Sequence, residues 1–194
     1  MPMALILAST SPYRLLLLER LGLPFTVQAS EVAEIAHPGE SPHTLVQRLA
    51  AAKAHAIAQK NPSAVVIGAD QLASLDEHVL GKPGTVANAQ QQLFACSGRE
   101  VEFLTALTVC CHATQRSTTL MDRTQVRFRD LSESMIRMYI EREQPLDCAG
   151  AFKAEGLGIA LFSSIRSDDP TALVGLPLIK LCTLLPQFGI APLA

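Results

Sequence analysis

The sequence predicts an α/β (α+β) fold in which helices flank a mixed sheet, and three patterns carry that reading. Residues 4–9 and 64–69 are short continuous apolar runs, the mark of strands covered on both faces. Between and after them lie segments with apolar residues at helical spacing, so that strand and helix alternate along the chain. Residues 100–111 and 117–128 read as two long strands joined by a polar turn.

Taken in order, the first strand at 4–9 runs into Ser9-Thr10-Ser11-Pro12 and then a helix over 12–21. Ser11 suits its N-cap and Pro12 its first position, Leu15, Leu17, Leu18 and Leu21 form its apolar side, and Gly22 stops it. A short strand is expected at 24–28, then a loop marked by Pro38, Gly39 and Pro42. Ser41-Pro42 caps a long helix over roughly 43–60, with Leu45, Leu49, Ala52 and Ala56 at helical spacing. The second central strand, 64–69, is expected to end at Asp70, and Asp76-Glu77-His78 reads as a hairpin turn. Helices follow at about 86–95 and from Ser132-Glu133, the latter with Met135, Ile136, Tyr139 and Ile140 inward. A strand is expected over Gly156–Ile165, and Pro177 opens a C-terminal leucine-rich helix.

The chain's 194 residues, 48% hydrophobic, suffice for one domain with a real core, taken as a single domain over 1–194. A net charge of −2 supplies no global field toward nucleic acid or an anionic membrane, so neither is expected as a partner. Five cysteines with no C-x-x-C fit free thiols in a reducing cytoplasm, and adjacent Cys110 and Cys111 are expected to face opposite ways on their strand. The N-terminal apolar run is far short of the roughly 20 residues of a spanning helix.

The candidate chemistry starts at residues 9–14. A strand that delivers a helix N-terminus presents free N–H groups and the positive end of a dipole, which favour an anion. Ser9, Thr10 and Ser11 add hydroxyls, and Arg14 adds a planar cation. Tyr13 stands where a second cation would look more natural. Asp70, at a strand end, is placed where open α/β sheets put functional side chains. Glu31 and Glu34 add carboxylates, and Lys53 and Lys82 add cations, the latter between Gly81 and Pro83. This inventory suits a polyphosphate with a hard divalent ion such as Mg²⁺. The five histidines are scattered, most of them reading as surface residues, without a zinc or Ser-His-Asp arrangement.

Eight segments, in order and covering essentially the whole chain, resemble the Maf family of nucleotide pyrophosphatases: Ser9–Arg14, Ser30-Glu31-Val32-Ala33-Glu34, Lys53, Gly68-Ala69-Asp70-Gln71, Gly81-Lys82-Pro83, Ser97-Gly98, Ala149-Gly150-Ala151 and Leu173-Val174-Gly175-Leu176-Pro177. The resemblance implies a fold like that of the inosine-triphosphate pyrophosphatases, with two lobes around a cleft. It implies hydrolysis of a nucleoside triphosphate to monophosphate and pyrophosphate with Mg²⁺ or Mn²⁺, and a homodimer at the family level. It implies Asp70 as proton acceptor. On those positions Asp70 and Glu31 are expected at the metal, with Glu34 a further candidate, and Ser9, Ser11, Arg14, Lys53 and Lys82 on the phosphates.

Members of the dTTP- and UTP-hydrolysing branch carry arginine, threonine and glutamine at the places of Tyr13, Gln71 and Glu155. This chain resembles instead the branch that hydrolyses 7-methyl-GTP, and the chemistry agrees. N7-methylguanine is cationic, so an aromatic face attracts it where arginine would repel it. A carboxylate can accept from its N1–H and N2–H₂, whereas the carbonyl oxygens of a pyrimidine would repel it. Two other readings stay open on the sequence: a pyrophosphatase with another base preference, such as dTTP/UTP, and a nucleotide-binding regulator of septum formation.

Overall fold

The computed structural model describes residues 3–193. Among them a seven-stranded sheet runs in the order β2-β1-β3-β5-β6-β7, with β4 on β3. Its strands are β1 (Leu5–Leu7), β2 (Thr26–Val27), β3 (Val65–Leu75), β4 (His78–Leu80), β5 (Glu100–Cys111), β6 (Arg116–Phe128) and β7 (Phe162–Arg166). The helices are α1 (Pro12–Glu19), α2 (Pro42–Lys60), α3 (Val86–Cys96), α4 (Glu133–Glu143) and α5 (Leu178–Leu184). β1 pairs in parallel with β2 and β3, while β4 and β7 pair antiparallel with β3 and β6, so the sheet is mixed as expected. The chain forms two compact units, interleaved in sequence: one runs through Asp70 and takes in Thr105–Asp122 and the stretch from Asp169, the other is Gln71–Leu104 with Arg123–Asp168.

In the first unit the two-residue alternation of the strands sorts side chains into two cores. Leu5, Leu7, Val65, Ile67, Ala69, Val109 and Cys111 face α1 and α5 and pack with Leu17, Leu18, Leu181 and Leu184. Ile6, Ala8, Val66 and Cys110 face α2 and pack with Ala54, Ile57 and Ala58. Cys110 and Cys111 thus point to opposite faces, and all five cysteines are free. Burial pushes the Cys96 thiol up to about 12 and that of Cys110 to about 11, which marks them as inert packing groups.

Gly68 lies on the α2 face because it alternates with Ile67 and Ala69. A Cβ there would run into the Ala50 carbonyl oxygen and lie 2.6 Å from Ala54 N and 2.8 Å from Ala54 Cβ. Glycine against two alanines lets the backbone of α2 lie close against the strand. The obstructing atoms include helix backbone, which cannot swing aside. Gly68→Ala is therefore expected to cost about 1–3 kcal/mol through overpacking, read as a lowered urea midpoint; an unchanged midpoint would count against this close approach.

The second unit is organised around four rings. Phe103–Phe152, Phe152–Phe162 and Phe128–Phe162 meet edge-to-face at 4.8, 4.9 and 5.0 Å. The β3–β4 connection is a two-residue hairpin in which Asp76 and Glu77 both have positive φ.

Three expectations need correction. β3 does not end at Asp70 but continues to Leu75, because residues 73–75 pair with β4. Met135 is 40% exposed: Ile136, Tyr139 and Ile140 fill the buried stripe of α4, and Met135 falls outside it. Residues 157–161 form a 3₁₀ turn rather than strand, and only Phe162–Arg166 is extended. There Leu157 N donates to Glu143 Oε1 at 3.0 Å, which turns the chain away from any ladder. Among the described residues no helix is long and apolar enough to cross a membrane.

Candidate active site

Asp70 follows Gly68 by two residues, so its carboxylate emerges on the same α2-facing side of β3. On α2, Lys53 stands between the two alanines that pack on Gly68, at the i+3 position from Ala50. The close approach carries its ammonium to the strand, where Lys53 Nζ donates to Asp70 Oδ1 at 2.6 Å. The same nitrogen donates to Glu34 Oε1 at 2.5 Å. Lys53 and Asp70 are each only 6% exposed, whereas Glu34 is open to solvent. One buried cation thus joins a buried and an exposed carboxylate.

The loop bearing Glu34 is itself anchored to α2. Arg48 grips Glu40 through two 2.7 Å hydrogen bonds, and its Nη2 also donates to the Ile35 carbonyl at 2.9 Å. Arg48 holds the Glu40 carboxyl down at about 2, well below the ordinary range. A depressed carboxyl stabilises the fold above its ordinary value, and that contribution is lost as pH falls toward about 2.

The start of α1 forms the second part of the site. Ser11 is its N-cap, accepting from Arg14 N at 3.5 Å, and Pro12 occupies the first turn. Ser9, 7% exposed, accepts from Ser11 N at 3.2 Å and from Arg14 Nη1 at 3.4 Å. Arg14 Nε donates to the Gly175 carbonyl at 2.9 Å. The guanidinium is thus fixed at two points, and Thr10 beside it is exposed. Tyr13 is half-buried, one residue before Arg14.

These groups form one electrostatic cluster. Burial pushes the Asp70 carboxyl above the usual carboxylate value, against the opposing pull of Lys53 and Arg14. Burial likewise lowers the Arg14 guanidinium, while Asp70 and Glu34 draw it back up. A buried carboxyl with a raised pKa, beside fixed cations, has the character of a general base.

The donor set fits a hard divalent ion in a limited sense. Asp70 and Glu34 meet at one nitrogen, so their oxygens lie within about 5 Å of each other. Among the described residues no group of three or more His, Cys, Asp or Glu could hold a metal by itself. A Mg²⁺-like ion needs only one or two carboxylates when substrate phosphates and water complete its shell. Here the structure departs from the expected pairing of Asp70 with Glu31. Glu31 is exposed, with a φ of 53°, and makes no hydrogen bond or ion pair among the described residues, while Glu34 shares Lys53 with Asp70. The five histidines are exposed, as expected.

Three further candidates belong to the second unit. Gln71 is half-buried in β3, directly after Asp70. Lys82 is exposed, and α3 clamps the backbone on both sides of it. Gln92 Nε2 donates to the Gly81 carbonyl at 3.1 Å and Asn88 Nδ2 to the Pro83 carbonyl at 2.9 Å. Glu155 is exposed on a short loop that α4 holds in place. Lys153 N donates to the buried Tyr139 hydroxyl at 3.0 Å, and Lys153 Nζ donates to the Glu143 carbonyl at 2.9 Å. The neighbouring lysine is therefore committed to α4.

Sequence reasoning missed the direct Lys53–Asp70 contact and the carbonyl of Gly175 as the anchor of Arg14. The second had a signal: the Leu173–Pro177 segment stood out in the sequence, and a glycine there, at φ 120°, marks a backbone with a special task.

The profile of the family described as "Maf-like protein" matches residues 4–188. A 7-methyl-GTP pyrophosphatase of Xanthomonas oryzae pv. oryzae is 54% identical over 185 residues, 95% of this chain and 96% of that protein. Proteins of the same name from Nitrosococcus oceani and Pseudomonas aeruginosa are 50% and 51% identical, covering 97% and 96% of this chain and 94% and 97% of their own lengths. Among solved structures, the nucleoside-triphosphatase / dITP/XTP pyrophosphatase of Mycobacterium abscessus aligns at a TM-score of 0.47 and 18% identity. That alignment covers 66% of this chain and 76% of the other, a likeness too weak to bear on the site.

Proposed function

This chain belongs to the Maf-like protein family, and on that premise we propose that it is a nucleoside triphosphate pyrophosphatase that converts 7-methyl-GTP to 7-methyl-GMP and pyrophosphate. The observation that carries the chemistry is the buried Asp70 carboxylate held at 2.6 Å by a buried Lys53.

Water attacks the α-phosphorus, the bond from that phosphorus to the bridging oxygen of the β-phosphate breaks, and pyrophosphate leaves with the electron pair. Asp70 orients the water and takes its proton, a role favoured by its raised pKa. Lys53 fixes the carboxylate's direction, and Lys53 and Arg14 stabilise the charge that grows on the phosphate oxygens. Ser9, Ser11 and the first-turn N–H groups of α1 bind phosphate oxygens, and Lys82 is a further candidate cation for them. Asp70 and Glu34 are the residues that would hold a Mg²⁺ or Mn²⁺, whose charge would offset that of the phosphates and make water more acidic.

Base choice falls to Tyr13, Gln71 and Glu155. The Tyr13 ring offers a cation–π surface worth roughly 0.5–2 kcal/mol to a methylated, cationic guanine. The Glu155 carboxylate accepts from N1–H and N2–H₂, and Gln71 can donate or accept at the base.

The deciding experiment scores pyrophosphate released from 7-methyl-GTP, GTP, dTTP and UTP with Mg²⁺ or Mn²⁺. Preference for the methylated base is expected, and Tyr13→Arg with Glu155→Gln is expected to move preference toward the pyrimidines. Equal rates on all four substrates would remove the base assignment. Nucleotide binding without pyrophosphate release would remove the hydrolase.

A further inference from the structure

Asp169 is a fully buried carboxylate to which the proposed reaction assigns no task. Its Oδ1 accepts from Thr171 N at 3.1 Å and faces the Thr171 hydroxyl at 2.7 Å. Its Oδ2 accepts from Ile179 N at 2.7 Å and Lys180 N at 3.2 Å, both in the first turn of α5. The Lys180 ammonium is engaged elsewhere, at 2.6 Å from Asp122 Oδ2. Asp169 is therefore held by N–H groups and a hydroxyl, and its two oxygens draw the two ends of segment 169–180 together.

Thr171 tightens the same loop. Its hydroxyl accepts from Leu178 N at 2.8 Å, and its one proton lies between Asp169 Oδ1 and the Leu176 carbonyl, 2.8 Å away. Thr105 Oγ1 donates to the Ala172 carbonyl at 2.9 Å and pins the turn from β5. This closed loop presents Gly175, whose φ of 120° turns its carbonyl toward Arg14 Nε at 2.9 Å, 161 positions away in the chain. A Cβ on Gly175 would lie 3.4 Å from that Nε, so the guanidinium stacks closely on the loop.

We propose that Asp169 and Thr171 are positioning residues for phosphate binding: they set the Gly175 carbonyl, which locks Nε of Arg14 and leaves the rest of the guanidinium aimed between Ser9 and the substrate. The proposal rests on the reading of Arg14 as a phosphate ligand. An arginine recognises phosphate through a planar fork, so its value depends on orientation as well as charge. A lysine at 14 would leave the loop nothing of this geometry to hold.

The test is a double-mutant cycle on 7-methyl-GTP hydrolysis, with folding followed by thermal melting. Asp169→Asn and Thr171→Val are each expected to lower kcat/KM about 10–100-fold, chiefly through KM, and Thr171→Ser to restore it to within about 3-fold. In an Arg14→Ala background, Asp169→Asn and Thr171→Val should cost less than about 2-fold more, because the group they orient is gone. If Asp169→Asn does not fold, the Thr171 pair gives the answer alone. Full, multiplicative losses in the Arg14→Ala background would overturn the positioning role while leaving Arg14 as a phosphate ligand. An Arg14→Ala enzyme with unchanged kcat/KM would overturn both.

Discussion

Asp70→Asn is expected to lower turnover of 7-methyl-GTP by about 10²-fold or more without lowering the melting temperature at neutral pH. The amide keeps the volume and an acceptor oxygen for Lys53 Nζ, which also retains its bond to Glu34. What it loses is the ability to take a proton from water. The melting behaviour follows from linkage. Because burial raises the folded-state pKa of Asp70, the folded chain holds that proton more tightly than the unfolded chain. The stability this contributes is present below the ordinary carboxylate value and lost as pH rises through the raised value, so the ionised Asp70 carries none of it at neutral pH. Turnover close to that of the parent enzyme would sink the assignment of Asp70 as base.

Lys53→Met is expected to lower kcat/KM at neutral pH on the order of 10²-fold and to move the acid limb of the pH–rate profile upward. Lys53 is the largest influence holding the Asp70 pKa down against burial, and Glu34 pushes it further up. Without the ammonium a larger share of Asp70 is protonated at neutral pH, and a protonated carboxyl cannot act as a base. Raising the pH should therefore recover part of the lost rate. An acid limb that stays in place would mean that Asp70 does not titrate in the step measured, or that the Lys53 contact does not govern it.

Much of the fold was legible because its determinants are local. The caps at Ser11 and Ser41 each depend on an oxygen and an N–H three residues apart. The opposite faces of Cys110 and Cys111 follow from the pleat alone. Where reading failed, a distant partner intervened. β3 runs past Asp70 because β4 pairs with it, and residues 157–161 coil because Glu143 takes a backbone N–H that a strand would need. Glu31 and Glu34 look alike in sequence, both acids in one loop. Only the reach of Lys53 from α2 distinguishes them.

By itself the sequence determined that an α/β chain with a helix N-terminus, hydroxyls, cations and a strand aspartate carries the materials expected of a phosphate site; the resemblance to the Maf family added that Tyr13, Gln71 and Glu155 depart from its pyrimidine-type branch. Periodicity, capping and residue chemistry operate over a few positions, so a linear reading captures them. Tertiary structure alone decided which charges meet. Lys53 lies 17 positions from Asp70 and 19 from Glu34, and Arg14 lies 161 from Gly175. Each contact depends on how closely two elements approach, which Gly68 sets against α2 and the Asp169-bound loop sets at Gly175. The approach of two backbones is a property of the packed core, and it turns a list of ionisable residues into a buried carboxylate with a direction and a raised pKa.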